Sequence, residues 1–192
     1  MTSKKPTICL LYGFGEGPWH GRQIQPALES AGFTVTTDVR AANIILAHSA
    51  GCFDVPQDVS AARVILVGPP FWPGKSPAIG FVQKGLREAV TSPGRRRVGF
   101  LLRKTAWNLR YILGDIPYNV RTSWRARQHN FYESIQSLDV TLVCNDQDDF
   151  CSPSIERQLT GLASFRYVHI PGQHDDIWHD PQPITDIIRR AV

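Results

Sequence analysis

The stretch NIILAHSAGC (residues 43–52) decides the fold. Ile44 to Ala47 form a continuous apolar run, which is typical of a strand buried on both faces of a parallel sheet. The run stops at His48 and Ser49, and small residues follow. In proteins built from a parallel sheet with helices, ligands bind beyond the carboxyl ends of the strands. The position of Ser49 therefore makes it the first candidate for a functional residue.

Five other short runs have the same character, which gives six predicted strands in all: TICLLY (7–12), TVTTD (34–38), NIILAH (43–48), VILVG (64–68), VTLVC (140–144) and RYVHI (166–170). Stretches with helical patterns lie between or after them, at residues 23–32, 78–90, 152–163 and 183–192. The first ends in Gly32, a residue suited to the position after a helix. This alternation predicts a three-layer α/β/α sandwich around a mainly parallel, doubly wound sheet of about six strands.

Length and composition fit one ordinary globular domain. The chain has 192 residues, of which 42% are hydrophobic, and we expect a single domain over residues 1–192. No apolar stretch approaches the ~18 residues that a membrane-spanning helix needs. The apolar run at residues 8–12 is too short for a signal peptide, which predicts a cytoplasmic location. The four cysteines have no zinc-like spacing and are expected to be free thiols: Cys9, Cys52, Cys144 and Cys151.

Positive charge is concentrated in the middle of the chain. Residues 84–127 hold eleven of the 21 lysines and arginines but only two of the 17 acidic residues. Residues 70–137 contain no strand-like run, so this segment is predicted to be an insertion of two or three helices. Its basic and apolar residues are compatible with a lid over the site, a helix that touches anionic lipid, an acidic partner, or a solvated surface without a partner.

Polar side chains follow several of the predicted strands. The segment YGFGEG (12–17) follows the first, HSAG (48–51) the third, NDQDDFCSP (145–153) the fifth and PGQHDD (171–176) the sixth. A serine, a group of aspartates and a histidine are thereby expected at one edge of the sheet. A serine hydroxyl becomes a good nucleophile when an imidazole accepts its proton and a carboxylate orients that imidazole.

With these residues in this order, the chain resembles the α/β-hydrolase superfamily, as a small serine hydrolase with a helical cap at residues 70–137. Ala47-His48-Ser49-Ala50-Gly51 is similar to the family's G-x-S-x-G nucleophile elbow, with alanine in place of the first glycine. The resemblance implies a catalytic triad and an oxyanion hole, with no metal and no cofactor. The implied catalytic residues are Ser49, Asp148 and His174, with Asp146 and Asp149 as alternative acids, and the implied oxyanion donors are Phe14 and Ala50.

The resemblance predicts cleavage of carboxylic esters or thioesters through an acyl-enzyme, on a small-molecule substrate. Nucleic acid is not an expected partner, whereas anionic lipid or an acidic partner could bind residues 84–127. The alternative is a non-catalytic protein of the same fold that binds an anionic partner or membrane surface through these basic residues. A phosphate-binding role for YGFGEG is disfavoured, because the segment lacks the lysine and serine or threonine of a P-loop.

Four further features lead to expectations about the site and the sheet. His48 is expected to be a buried structural residue. The acidic and histidine residues of 174–180 lack the spacing of a known metal motif. Pro56 limits the helix after Ser49 to about two turns. Only residues 39–42 join the second and third predicted strands, which leaves a hairpin-like link or a missing helix as alternatives.

Overall fold

The computed structural model describes residues 5–13, 16–59, 62–70, 110, 113–114, 116–125, 132, 134–148 and 165–191. Six strands form one sheet, and all six predicted strands are confirmed, with shifts of one or two residues at their ends. The strands are β1 (Thr7–Leu11), β2 (Thr34–Thr36), β3 (Ile44–His48), β4 (Arg63–Val67), β5 (Asp139–Asn145) and β6 (Phe165–Ile170).

The sheet has the order β2-β1-β3-β4-β5-β6, and every neighbouring pair is parallel. From β1 the chain moves to one edge to form β2, then returns past β1 and adds β3 to β6 on the other side. The strand order therefore reverses between β1 and β3. In an open α/β sheet this reversal creates a crevice beyond the carboxyl ends of the two strands. Ser49 directly follows β3 and lies at this crevice.

Three α-helices are described: α1 (Pro18–Ser30), α2 (Ile116–Arg125) and α3 (Gln182–Ala191). Helices α1 and α3 confirm the patterns at residues 23–32 and 183–192. Helix α1 begins earlier than predicted, with Pro18 in its first turn, where a missing N–H costs nothing. Gly32 follows this helix with a φ of 94°, as expected for a glycine after a helix end. The predicted helices at 78–90 and 152–163 lie outside the described residues.

The link between β2 and β3 contains no helix. A hairpin is also not formed, because β2 pairs with β1 and not with β3. Strand β2 pairs only with the first three residues of β1, and β3 begins opposite Ile8, so the chain needs only to pass the start of β1. The Asn43 side chain secures this passage, since its Oδ1 accepts hydrogen bonds from the Thr7 amide and hydroxyl at 2.8 and 2.9 Å. The missing-helix alternative is the correct one at this link.

Apolar side chains cover both faces of the sheet, because successive strand residues point to opposite sides. On one face, Ile44, Leu46 and Ile65 pack with residues of α1 and α3. On the other face, Ile45 and Leu66 pack with residues that follow β3 or precede β5. Both faces are therefore buried, as the continuous apolar strands predicted. Cys9, Cys52 and Cys144 are buried and form no disulfide, as predicted, while Cys151 lies outside the described residues.

Within the parts of the chain that the structure describes, no helix combines the length and the apolar character needed to cross a membrane.

Candidate active site

The backbone at Ser49 adopts a conformation that side chains rarely tolerate. Its φ is 51°, and no other non-glycine residue among those described has a positive φ. Holding such a residue in the left-handed region costs ~1–3 kcal/mol, and outliers of this kind concentrate at functional sites. A strained turn between a strand and a helix is also what the G-x-S-x-G pattern predicted at Ser49.

The helix after Ser49 is short. A 3₁₀ helix runs over Ser49–Asp54 and ends before Pro56, which agrees with the predicted limit of about two turns. The turn also lies close to the end of β1. A Cβ atom added to Gly51 would lie 2.5 Å from the carbonyl oxygen of Tyr12. Only a residue without a side chain fits there, which explains the glycine two positions after the serine.

Asp148 and His174 form a buried hydrogen-bonded pair. The Nδ1–H group of His174 donates to Oδ2 of Asp148 at 2.7 Å, and the two side chains are 5% and 0% exposed, respectively. Asp148 reaches this position in a tight turn after β5, in which its amide donates to the carbonyl of Asn145 at 3.0 Å. The structure thus brings together two of the three predicted triad side chains, each from a different strand end.

The other two candidate acids are placed differently. Asp146 lies 3.6 Å from Nδ1 of His169, and its side chain is 57% exposed. Among the described carboxylates of this turn, Asp148 is the partner of His174. Asp149 lies outside the described residues.

Gly68, which follows β4, was not predicted as a site residue. A Cβ atom at this position would lie 2.7 Å from Oδ2 of Asp148 and 2.8 Å from Nδ1 of His174. Its φ of 53° is also unfavourable for residues with a side chain. The Asp148–His174 pair therefore packs directly against backbone at the end of β4. A glycine immediately after a buried strand was the signal in the sequence.

Of the two predicted oxyanion donors, Ala50 is buried directly after Ser49, and Phe14 lies outside the described residues. The described residues of the turn after β1 (12, 13, 16 and 17, called the β1 turn) include Gly13 and Glu16, which are joined by two reciprocal hydrogen bonds. The Gly13 amide donates to Oε2 of Glu16 at 2.6 Å, and the Glu16 amide donates to the carbonyl of Gly13 at 3.1 Å.

Glu16 and His48 form a second buried pair beside the first. Nδ1 of His48 lies 2.8 and 2.9 Å from the two carboxylate oxygens of Glu16, and the side chains are 0% and 7% exposed for His48 and Glu16. Nε2 of His48 lies 2.8 Å from the carbonyl oxygen of His174. His48 is thus buried, as predicted, and both of its ring nitrogens have hydrogen-bond partners.

The charges of this pair stabilise one another. Burial lowers the pKa of His48, but the Glu16 carboxylate outweighs that effect, so the pKa of His48 lies above its ordinary value. Burial raises the pKa of Glu16, yet attraction to His48 and the hydrogen bond between them bring the pKa of Glu16 below its ordinary value. Both pKa shifts favour the ionised forms, the imidazolium of His48 and the carboxylate of Glu16.

Two aromatic residues complete the surroundings of Glu16. The indole Nε1–H of Trp178 donates to Oε1 of Glu16 at 3.0 Å, and the Trp178 ring lies edge-on to His48 at 5.2 Å between centroids. His20 accepts the Gly17 amide proton through Nδ1 at 3.2 Å, and burial lowers the pKa of His20. Sequence reasoning missed Glu16 and Trp178, and the only signal was a charged residue in the glycine-rich YGFGEG segment.

Among the residues that the structure describes, one group of side chains could hold a metal ion by proximity alone. Ligand atoms of His48, His174 and Asp175 lie within 4.8 Å of one another. However, both nitrogens of His48 and Nδ1 of His174 already have hydrogen-bond partners within the protein. Asp176, another acidic residue of this loop, accepts the Gln173 amide proton at 2.7 Å. A metal would therefore have to displace existing contacts, and the donor set does not fit a preformed metal site.

No protein-family model matches the chain, and no curated protein matches it in sequence. Solved structures do resemble it. The N-formylmaleamic acid deformylase Nfo from Pseudomonas putida S16 has a TM-score of 0.67 at 14% identity, over 96% of this chain and 92% of that one. A carboxylesterase structure from the Thaumarchaeon Nitrososphaera gargenis has a TM-score of 0.63 at 13% identity, over 96% and 89%.

The thioesterase domain from the curacin biosynthetic pathway has a TM-score of 0.60 at 14% identity, over 96% of this chain and 91% of that domain. At such identities the likeness concerns the fold alone. It extends over nearly the whole length of each protein, and it confirms the fold that the resemblance in the sequence implied.

Proposed function

We propose, from the α/β-hydrolase fold that this chain has, that the protein is a serine hydrolase that cleaves carboxylic esters or thioesters. The observation that carries the proposal is the buried Asp148–His174 hydrogen bond of 2.7 Å at the sheet edge that also bears Ser49. A buried carboxylate bonded to Nδ1 of a histidine leaves Nε2 as the basic nitrogen, which is the tautomer that a general base needs.

In the proposed mechanism Ser49 Oγ attacks the carbonyl carbon of the substrate, while Nε2 of His174 takes the hydroxyl proton. Asp148 stabilises the resulting imidazolium. His174 then returns the proton to the leaving alcohol or thiol as the carbon–oxygen or carbon–sulfur bond breaks, leaving an acyl-serine. A water molecule repeats the sequence and releases the carboxylic acid and free Ser49.

The oxyanion formed in each half of the reaction needs backbone donors. The Ala50 and Phe14 amides are the proposed donors, and loss of one such donor typically costs ~10²–10³ in kcat. The left-handed conformation of Ser49 supports this assignment, because in a nucleophile elbow the following amide faces the same side as the serine hydroxyl. The proposed steps use neither a metal nor a cofactor. The cytoplasmic location of the protein remains a prediction.

The choice of ester and thioester as the substrate class draws on the neighbours, which include proteins titled as a carboxylesterase and a thioesterase. A panel of p-nitrophenyl esters and acyl-CoA thioesters with graded acyl length tests it. For substrates whose acyl-enzyme is hydrolysed slowly, we expect an initial burst of about one product molecule per protein chain. A folded protein that hydrolyses no member of the panel contradicts this substrate class.

A second candidate function concerns the exposed face of α2. Ile116, Val120 and Trp124 are spaced four residues apart, so they lie on one side of the helix, and they are 53%, 63% and 64% exposed. Leu113, just before α2, is 62% exposed, and Arg121 is an exposed basic residue on the helix. We infer that this face binds an anionic membrane surface, with the apolar side chains at the lipid and the arginine near the headgroups.

Vesicle co-sedimentation tests this inference. Wild-type protein is expected to bind vesicles of phosphatidylserine mixed with phosphatidylcholine more strongly than vesicles of phosphatidylcholine alone. The pair of changes Arg121→Glu and Trp124→Ser is expected to weaken binding by at least about tenfold, because each basic residue contributes ~1 kcal/mol and the indole adds apolar area. Arg22→Glu, an exposed position on α1, is the matched control and should bind as wild type does. If the double variant bound the vesicles as strongly as Arg22→Glu does, this face would be excluded as the membrane-binding surface.

A further inference from the structure

We propose that Glu16 and His48 form a buried ion pair that holds the β1 turn and the histidine loop (residues 171–180) at a fixed spacing, and that both are positioning residues for the reaction. The inference rests on the proposed function, because that function gives the two segments their roles in catalysis. Glu16 and His48 act through their hydrogen bonds to Gly13, Trp178 and His174. Neither residue contacts the substrate in this proposal.

The hydrogen bonds around His48 define its protonation state. One ring nitrogen faces the Glu16 carboxylate at 2.8 Å, and the other faces the carbonyl oxygen of His174 at 2.8 Å. An ionised carboxylate and a carbonyl group only accept hydrogen bonds. Both nitrogens of His48 must therefore carry protons, and the ring is an imidazolium that requires the negative charge of Glu16.

Glu16 connects this cation to both segments. Its Oε2 accepts the Gly13 amide proton at 2.6 Å, which fixes the β1 turn, and its Oε1 accepts the Trp178 indole proton at 3.0 Å, which fixes the histidine loop. His48 adds a third tie through its hydrogen bond to the backbone of His174. One carboxylate and one imidazolium thereby link the ends of β1, β3 and β6.

The Glu16–His48 pair also affects the electrostatic environment of His174, the proposed general base. The rings of His48 and His174 lie 4.7 Å apart between centroids, and His174 becomes an imidazolium during the proposed reaction. A like charge at this distance disfavours that imidazolium unless a counter-charge is present. Glu16 supplies the counter-charge beside His48, so the pair fixes geometry without a net positive charge beneath His174.

The kinetic test compares Glu16→Gln, His48→Gln and the double variant on an ester substrate. We expect each single change to lower kcat by about 10²-fold, since a displacement of ~1 Å at a catalytic group costs that much. KM should change by less than about threefold, because the pair does not touch the substrate. The double variant should lose about as much as one single variant, which marks residues that act as a unit.

Glu29→Gln is the matched control, because Glu29 is exposed on α1 and its carboxylate accepts a hydrogen bond from Gln25 at 2.7 Å. It should retain wild-type kcat. Thermal unfolding of every variant establishes that each is folded at the assay temperature. Single variants with wild-type kcat, or losses that add in the double variant, would overturn the proposal.

The pH dependence of unfolding separates an ion pair from mere packing. Because the pKa of Glu16 is lowered, its stabilisation is present above the ordinary glutamate pKa of about 4.3 and is lost as pH falls through the folded value. Because the pKa of His48 is raised, its stabilisation is present below about 6.5 and is lost as pH rises through the folded value. The Tm difference between wild type and the double variant should be greatest between these limits.

The other titratable groups around the pair are His20 on α1, and His174 and Asp175 in the histidine loop. Wild type and the double variant both retain these three groups. A Tm difference that is the same at all pH values would contradict an ion pair.

Nitrogen-15 NMR of the wild-type imidazoles gives a measurement that does not depend on a variant's folding. At about pH 6.5 an ordinary histidine is half neutral, whereas His48, whose pKa is raised by the Glu16 carboxylate, is expected to show two protonated nitrogens. A neutral His48 would overturn the proposal. This readout is also independent of the proposed function: if Ser49 proves dispensable for hydrolysis while His48 is an imidazolium, the function fails and the ion pair does not.

Discussion

Replacement of Ser49 by alanine is expected to lower kcat on any ester that the protein cleaves by roughly 10⁴- to 10⁶-fold, the loss seen when a triad nucleophile is removed. The reason is chemical, because alanine has no oxygen to form the acyl-enzyme. Backbone donors can still stabilise direct attack by water, so a small residual rate is expected. Initial rates with a p-nitrophenyl ester, measured at high protein concentration, give the value.

Ser30→Ala is the matched control for this change. Ser30 is the exposed last residue of α1, and its substitution should leave kcat within about twofold of wild type. If Ser49→Ala retained more than about a tenth of wild-type activity, Ser49 would not be the nucleophile, and the alternative of a non-catalytic binding protein of this fold would gain support.

Asp148→Asn is expected to lower kcat by about 10⁴-fold, with a much smaller change in KM. Asparagine occupies the same volume but lacks the negative charge that stabilises the His174 imidazolium. Its amide can also favour the wrong imidazole tautomer, because the buried contact of 2.7 Å requires an acceptor for the Nδ1 proton. Steady-state kinetics over a range of pH values measure both effects.

The same turn supplies the control. Asp146→Asn makes the same chemical change two residues earlier, at an exposed side chain that faces His169. This variant should retain nearly all activity. Were Asp146→Asn the more damaging of the two, the acid of the triad would be wrongly assigned.

The sheet was predictable because its strands carry the signal locally. Continuous apolar runs such as Ile44–Ala47 identify buried parallel strands without reference to any other part of the chain. The order of the first strands was not predictable in this way. The place of β2 beside β1 depends on pairing at Thr7 and Thr34, which are far apart in sequence, and on a link too short to hold a helix.

The candidate site likewise has one part that local sequence predicts and another part that depends on contacts between distant residues. A serine, a group of aspartates and a histidine could be placed at one edge because each follows a strand, and parallel strands bring their carboxyl ends together. The resemblance to α/β-hydrolases then implied Ser49, Asp148 and His174. The contact between Asp148 and His174 distinguishes Asp148 from Asp146, which the sequence alone left open. Glu16 was missed because two of its partners, His48 and Trp178, lie 32 and 162 positions away in sequence.

His48 illustrates a partial prediction. As the neighbour of Ser49 it was expected to be a buried structural residue, and the structure has it fully buried. Its hydrogen bond to the backbone of His174 spans 126 positions in sequence, and no local pattern could reveal it. A residue interpreted as structural thus acquires a testable part in catalysis.

The central claim is that Ser49 is an activated nucleophile, and labelling with a fluorophosphonate probe tests it most directly. Intact-protein mass spectrometry of the wild type should show a single adduct, which peptide mapping assigns to Ser49. The adduct should be absent from Ser49→Ala and strongly slowed in His174→Ala, because the hydroxyl then lacks its base. An unlabelled wild-type protein that is well folded, or an adduct at another serine, would contradict the account.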